Sequence, residues 1–345
     1  MALLFSAVAG IQLGNVAKAN FLIPESLPEI EIKSDGSLQP STDLIKHEGN
    51  IYYFTDDIIG EYSLTVRCSN VVIDGENHTI NGKGVVEVGI YIEGITNVTV
   101  RNIEVADFSC GIELHKSSNC DVIKANITNN DVGVTLSESN NNTLSENRIN
   151  NRQDGIRLDM SHYNEIRENI IVGNYFAGIV FYHSQLNNIQ GNNITDSYRG
   201  VLIYDEIGTE PRPNATSNNT IYLNNFVNNS VQVFAILTEY LSKSPSPNSP
   251  HFNLSIPLFE NSWDNGREGN FWSDYNGTDS NGDGIGDTPY VIGDNNIDNY
   301  PLMTPINNII VLPPPEPFPT ALVIAASGAS IAIIGVGLLV YFKKR

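Results

Sequence analysis

Five side chains in the middle of the chain, Glu113, His115, Asp154, Arg157 and Asp159, are of the types that acid/base work on a sugar bond requires. Carboxyls give and take protons, an imidazole titrates near neutrality, and a guanidinium holds an anion. Tyr91, Tyr182 and Tyr204 add flat rings that can stack on sugars while neighbouring polar groups, those of Glu113, His115, Arg157 and Asp159 among them, bond hydroxyls. Scattered along the sequence, these residues can act together only if the fold brings them to one surface.

A second constellation is local. In the loop 279–287, Asp279, Asn281, Asp283 and Asp287 place side-chain oxygens at positions 1, 3, 5 and 9, the Ile285 carbonyl falls at position 7, and Gly284 stands at the sharp turn. Calcium takes hard oxygens from a flexible turn of this spacing. Position 12 is Tyr290 instead of a bidentate Glu, so the loop is not an EF-hand. Without a nearby basic cluster, a structural calcium is expected, not a catalytic one. Copper is not expected: His47, His78, His115, His162, His183 and His251 share no short ligand spacing, and the three in the repeat region do not form one column.

The elements that must position these side chains are written in a repeat. Gly89, Gly111, Gly133, Gly155, Gly178 and Gly200 recur every 22 or 23 residues, each opening a Gly-Ile-x-Leu-like segment. A fixed period of this size is the mark of a solenoid. One place after each Gly stand Ile90, Ile112, Val134, Ile156, Ile179 and Val201, and three places after stand Ile92, Leu114, Leu136, Leu158, Phe181 and Ile203. Two further apolar columns follow, 11 and 16 places on. Each is largely β-branched and flanked by polar residues, which is strand alternation. Three short strands per turn, stacked in register, predict an all-β protein, a parallel β-helix, with no helix in the unit to suit a leucine-rich repeat.

Asn142, Asn164 and Asn187 in one column and Asn147, Asn169 and Asn192 in another are expected at the corners, tolerating left-handed backbone and bonding amide to amide. Cys120 shares the first of these columns and is expected to be buried; Cys68 and Cys110 could meet across coils, with no bridge expected. Outward positions two and four places after each Gly should form a ridge that carries Tyr91, Glu113, His115, Arg157, Asp159, Tyr182 and Tyr204, together with Val180 and Leu202. Residues 205–216 read as a looped-out insertion, and Trp263, Phe271 and Trp272 as a plug over the end of the stack.

The array, residues 66–240, should lie between an N-terminal cap at 20–65 and a C-terminal cap at 241–304 that begins with a Ser/Pro linker. Residues 1–19 read as a signal peptide, 305–320 as a Pro-rich stalk, 321–342 as a transmembrane helix and 343–345 as a basic cytoplasmic tail. That topology places the rest outside the cell, single-pass at the cell membrane. Asn-x-Ser/Thr sequons at Asn77, Asn97, Asn126, Asn141, Asn193, Asn214, Asn218, Asn228, Asn253 and Asn276 agree with it, Asn214 and Asn253 being the first expected to carry glycans. Since the chain has 44 Asn, several sequons would arise by chance. A formal charge of −20, from 39 acidic and 19 basic side chains, repels phosphate backbones and argues against a nucleic-acid partner.

The Gly-Ile-x-Leu repeat, the segment from Asn70 to Ile80 and the block from Trp263 to Tyr275 resemble the NosD-like periplasmic copper-binding β-helix family, in its surface-anchored archaeal form, over about residues 60–304. The resemblance implies a right-handed parallel β-helix of the type that binds carbohydrates and hydrolyses sugars. It also implies an accessory role in copper delivery, for which this chain lacks a Met or His cluster. Three readings result: a non-catalytic surface module that binds polysaccharide or envelope components, a polysaccharide lyase, hydrolase or epimerase, and a copper accessory protein.

Overall fold

A computed structural model describes residues 29–207, 216–239, 260–293 and 295–306. The expected signal peptide, Ser/Pro linker, transmembrane helix and basic tail, with Asn214, Asn253 and His251, lie outside the described residues. Among those described there is no helix, and so none long and apolar enough to cross a membrane.

The period sets the architecture. Each repeat gives one strand to each of three parallel sheets, as in Cys110–His115, Asp121–Ile123 and Asn126–Thr128. The next repeat adds Val132–Ser137, Thr143–Ser145 and Arg148–Asn150 in register, with Ile112 beside Val134, Val122 beside Leu144 and Ile127 beside Ile149. About seven such turns run from the strand Ser63–Val66 to the strand Asn225–Val227. The result is a parallel β-helix, right-handed as crossovers between parallel strands of one sheet are. The apolar columns point inward and make a continuous core in which Ile90, Ile112, Val134, Ile156 and Ile179 have no exposed surface. Burying each such side chain is worth about 1.5–3 kcal/mol, gained only because neighbouring turns supply the covering layer.

The corners are closed by side-chain ladders. Asn142 Nδ2 donates to Asn164 Oδ1 at 3.1 Å, Asn164 to Asn187, Asn187 to Asn219 and Asn219 to Asn261. Each of these Oδ1 atoms also accepts the backbone N–H of the residue one turn below, as when Cys120 donates to Asn142. Asn147, Asn169, Asn192, Asn224 and Asn270 form a second ladder of the same kind. Cys120 is fully buried at the foot of the first ladder, and all three cysteines are free thiols. A Ser ladder, Ser117, Ser139, Ser161 and Ser184, shares the first bend and ends on Thr216, and Asn130, Asn151, Asn174, Ser197 and Asn229 close the remaining bend.

The left-handed backbone expected of the ladder Asn residues falls instead on the residue just before each of them. Asn119, Asn141, Tyr163, Leu186 and Asn218 have φ from 54° to 58°, so the turn and the amide bonding are divided between adjacent residues. The repeated Gly serves close approach: a Cβ on Gly155 would lie 2.5 Å from the carbonyl oxygen of Gly178 in the next turn.

Both ends differ from the repeat. Within the segment 20–65, Glu29–Ile32, Ile51–Phe54 and Ile58–Ile59 pair in parallel with the first full turn, and the antiparallel strands Leu38–Gln39 and Ile45–Glu48 cover two of the exposed edges. The span expected to loop out from residue 205 begins as strand, because Arg199–Ile207 runs on beside Val231–Glu239. The Asp205 side chain then supplies the acceptor that a strand-end carbonyl gives in earlier turns, as when Met160 N–H donates to the Tyr182 carbonyl. Its Oδ1 accepts from His183 N–H at 3.1 Å and its Oδ2 from Thr216 N–H at 3.0 Å.

At the C-terminal end Trp263 and Trp272 are buried, and Trp272 stacks between Phe226 at 4.4 Å and Tyr290 at 4.3 Å. Phe271 is half-buried beside them. Asp298 ends the second ladder, accepting from Asn270 N–H at 2.7 Å and from Trp272 Nε1 at 2.8 Å.

Candidate functional site

The first sheet turns its outer face away from the core, and the register aligns the expected ridge. Tyr91, Glu113, Thr135, Arg157, Val180 and Leu202 form one column; Glu93, His115, Ser137, Asp159, Tyr182 and Tyr204 form another. All the sequence candidates of the middle region therefore share one surface, but not one point on it. Tyr91 stacks on His115 with ring centroids 6.4 Å apart, and His115 reaches Ser137. Tyr182 stacks on Tyr204 at 5.4 Å. Glu113 stands two rungs from Arg157 with Thr135 between them, and burial raises its carboxyl above the ordinary value. Val180 and Leu202 point outward as expected yet are covered, and they pack with Ala177 into a small apolar cluster separate from the core.

A third outward column precedes the Gly. The strands bend at this Gly, so Cys110, Val132, Asp154, Ala177 and Arg199 face out with the ridge. Here the polar chemistry concentrates. Asp154 has no exposed surface and is ion-paired with Arg157. Burial raises the Asp154 carboxyl, opposed by the positive charges of Arg157 and, two rungs away, Arg199. Asp159, at the other end of the same strand, is raised by burial against the pull of Arg157 and His183. Small Ala177 separates Asp154 from Arg199 in the column. The Arg199 guanidinium carbon lies 4.6 Å from the ring centres of Phe176 and Tyr198 and 5.0 Å from that of Phe234.

Several of these groups are unsatisfied. Asp154 Oδ1, Arg157 Nε, Asp159 Oδ1 and both Nε and Nη1 of Arg199 are buried without a hydrogen-bond partner. Leaving such atoms unpaired costs roughly 1–3 kcal/mol each, more when charged. Beside them the rings of Tyr175, Phe176 and Tyr198 are 81%, 41% and 51% exposed. Sequence reasoning missed Arg199 and these aromatics. The available signal was the position before each Gly, where Asp154 and Arg199 share a column; strict alternation would have turned that position inward.

The acidic loop folds on its own amides. Asp279 accepts from Gly282 N–H at 2.7 Å and Gly284 N–H at 2.9 Å, Asp283 accepts from Ile285 N–H and Asn281 Nδ2, and Asp287 accepts from Ser280 and Thr278. Among the described residues no three His, Cys, Asp or Glu side chains gather as metal ligands would. Of the sequons described, Asn77, Asn97, Asn141, Asn218, Asn228 and Asn276 are exposed, while Asn126 and Asn193 are half-buried within strands.

A sequence profile of the family described as periplasmic copper-binding protein (NosD) matches residues 47–277, two thirds of the chain. The chain belongs to the NosD family. No curated protein matches it in sequence. Solved structures similar to this NosD-family chain include the periplasmic alginate epimerase AlgG, at 18% identity over 52% of this chain and 47% of that one, with a TM-score of 0.42. The Dettilon tailspike protein matches at 19% identity over 52% of this chain and 43% of that one, with a TM-score of 0.38. The Agl-KA catalytic domain matches at 16% over 56% and 46%, with a TM-score of 0.36. The chain thus spans under half the length of each, and the likeness concerns the fold alone.

The copper of the family's description does not fit the side chains described. His47 stacks on Tyr52, His78 lies against Asp57, His162 Nδ1 accepts from Gln185 N–H, and His183 lies against Asp205. Each of these imidazoles has a partner of its own, and no three His, Cys, Asp or Glu side chains gather among the described residues. Burial pushes the Cys110 thiol up to about 12, which disfavours the thiolate a copper ion would need.

Proposed function

We propose that this NosD-family protein is an exported, surface-anchored module that binds polysaccharide along the outer face of its first sheet. The observation that carries the reading is the group of unpartnered buried polar atoms on Asp154, Arg157, Asp159 and Arg199, set beside the exposed rings of Tyr175, Phe176 and Tyr198. Sugar hydroxyls both donate and accept, and sugar rings present flat apolar faces, so a glycan chain supplies what this surface lacks. The column spacing of about 4.8 Å per turn offers a run of equivalent contacts along a polymer.

Affinity electrophoresis of the purified protein through gels containing acidic or neutral polysaccharides tests the reading. Retardation that weakens in Tyr175→Ala supports it, and unretarded migration in every gel overturns it. Assay of the same mixtures for reducing or unsaturated ends separates binding from the enzymatic reading, which the raised Asp154 and Asp159 carboxyls favour. Products lost in Asp159→Ala would make the protein a lyase, hydrolase or epimerase.

For the loop 279–287 we propose structural calcium, supported by the spacing of its oxygens and by their place on an exposed turn. The expected outcome is a melting temperature that falls in chelator and recovers with calcium. A melt insensitive to both removes the metal from the loop.

A further inference from the structure

The outer-face site has a charge pattern that narrows its ligand. The molecule carries a net charge of −20, yet the two basic side chains at this site are both arginines, and neither satisfies all its N–H groups. Arg157 spends one end of its fork on Asp154 and leaves Nε unpartnered. Arg199 is in no ion pair among the described residues; the rings of Phe176, Tyr198 and Phe234 surround it instead.

An aromatic surround holds a guanidinium in place and strips its water, but it does not accept the in-plane hydrogen bonds of the fork. A carboxylate does, with two parallel N–H···O bonds. The neighbouring atoms that lack partners are of the opposite kind. Asp154 Oδ1 and Asp159 Oδ1 are acceptors that need O–H donors.

We propose that the site selects an acidic sugar, a uronic acid residue within a polysaccharide, with its carboxylate on Arg199, a hydroxyl turned toward Asp154 two rungs away, and further sugars of the same polymer on Asp159 at the other end of that strand. Arg157 holds Asp154 in place and adds one donor. The inference rests on the glycan reading above and names its substrate class. Because Nε and Nη1 of Arg199 are buried, entry requires the exposed ring of Tyr198 or Phe176 to turn off the guanidinium edge. The stacked ring then lies against the sugar face. Net negative charge elsewhere opposes adventitious capture of a polyanion, so retention would report this site and not bulk attraction.

The test uses the full chain in affinity electrophoresis against four polymers: polygalacturonate, its fully methyl-esterified form, dextran sulfate and neutral dextran. The expected result is retention by polygalacturonate at least about tenfold stronger than by the ester or by dextran, lost in Arg199→Gln. Arg199→Lys, which keeps the charge and removes the fork, should recover only part of it. A melt for each variant identifies any that fails to fold; Tyr198→Ala, at a half-exposed ring, then carries the test with the same expected loss.

Equal retention by the ester or by dextran would overturn the acidic specificity while leaving glycan binding intact. Dextran sulfate held as tightly as polygalacturonate would overturn carboxylate recognition in favour of charge alone. No retention by any polymer would remove both readings together.

Discussion

The inner and outer faces of the first sheet are built from the same strands and obey different rules. On the inner face every turn repeats the one before it: Ile112, Val134, Ile156 and Ile179 follow one another with no exposed surface. On the outer face the residue type changes at each rung, from Tyr91 through Glu113, Thr135 and Arg157 to Val180. The ladders that begin at Asn142 and Asn147 show the same contrast with the site. Each Asn side chain of Asn164, Asn169, Asn187 and Asn192 has both donor and acceptor engaged, whereas Asp154, Arg157, Asp159 and Arg199 leave charged atoms unpaired. A solenoid needs its repeat only where turns stack. Where the repeat breaks without loss of register, the sequence is free to serve a ligand.

The comparison predicts that stability and binding can be altered independently. The largest effect should come from the interior. Asn169→Ala leaves the N–H and Nδ2 of Asn147 without their acceptor and the Leu144 carbonyl without its donor, and should cost about 2–4 kcal/mol in denaturant unfolding. Gly155→Ala should cost a similar amount, about 2–4 kcal/mol, because its Cβ would overlap the Gly178 carbonyl. Protein that remains folded should still be retained by polysaccharide.

Next in size is a pH effect at the end of the second ladder. Burial pushes Asp298 up to about 6 from an ordinary 3.8, against the pull of its Asn270 and Trp272 donors. A carboxyl raised on folding contributes stability that is present in full below pH 3.8 and is lost as pH rises through about 6. The loss should be on the order of 1–3 kcal/mol, read from urea midpoints between pH 4 and pH 7 and flattened in Asp298→Asn.

The outer face should behave in the opposite way. Tyr175→Ala removes a ring that is 81% exposed and should change stability by less than about 0.5 kcal/mol, while polysaccharide retention falls several-fold. A matching loss of stability would show that the face is structural and erase the contrast. The smallest expected effect is a gain: Leu186 has φ of 57°, where a Cβ is strained, and Leu186→Asn should stabilise by about 0.5–1 kcal/mol.

Most of the fold was legible because each coil reuses the same inward columns. The Gly spacing and Cys120 in the core could be read from periodicity, and the aromatic plug around Trp272 from its place just past the repeat. Less legible were features that depend on how the chain bends. The left-handed corners went to Asn141, Tyr163 and Leu186 and not to the ladder Asn beside them, since a side chain that bonds along the stack needs the neighbouring backbone to turn. Asp205 gave no sequence signal for its role, because its side chain takes an acceptor position that a strand-end carbonyl fills in the other turns.

By itself the sequence determined the parallel β-helix, its three strands per turn and the face on which Glu113, His115, Arg157, Asp159 and the tyrosines stand, because a period of 22 residues with alternating apolar positions can bury itself in few other ways. Only the tertiary structure decided which of those residues meet. The bend at the repeated Gly turns Asp154 and Arg199 outward, and the small Ala177 between them leaves their charges facing across two rungs. Of the aromatics around Arg199, Phe176 comes from 23 residues before it and Phe234 from 35 after it, a proximity set by stacking distance and not by separation along the chain.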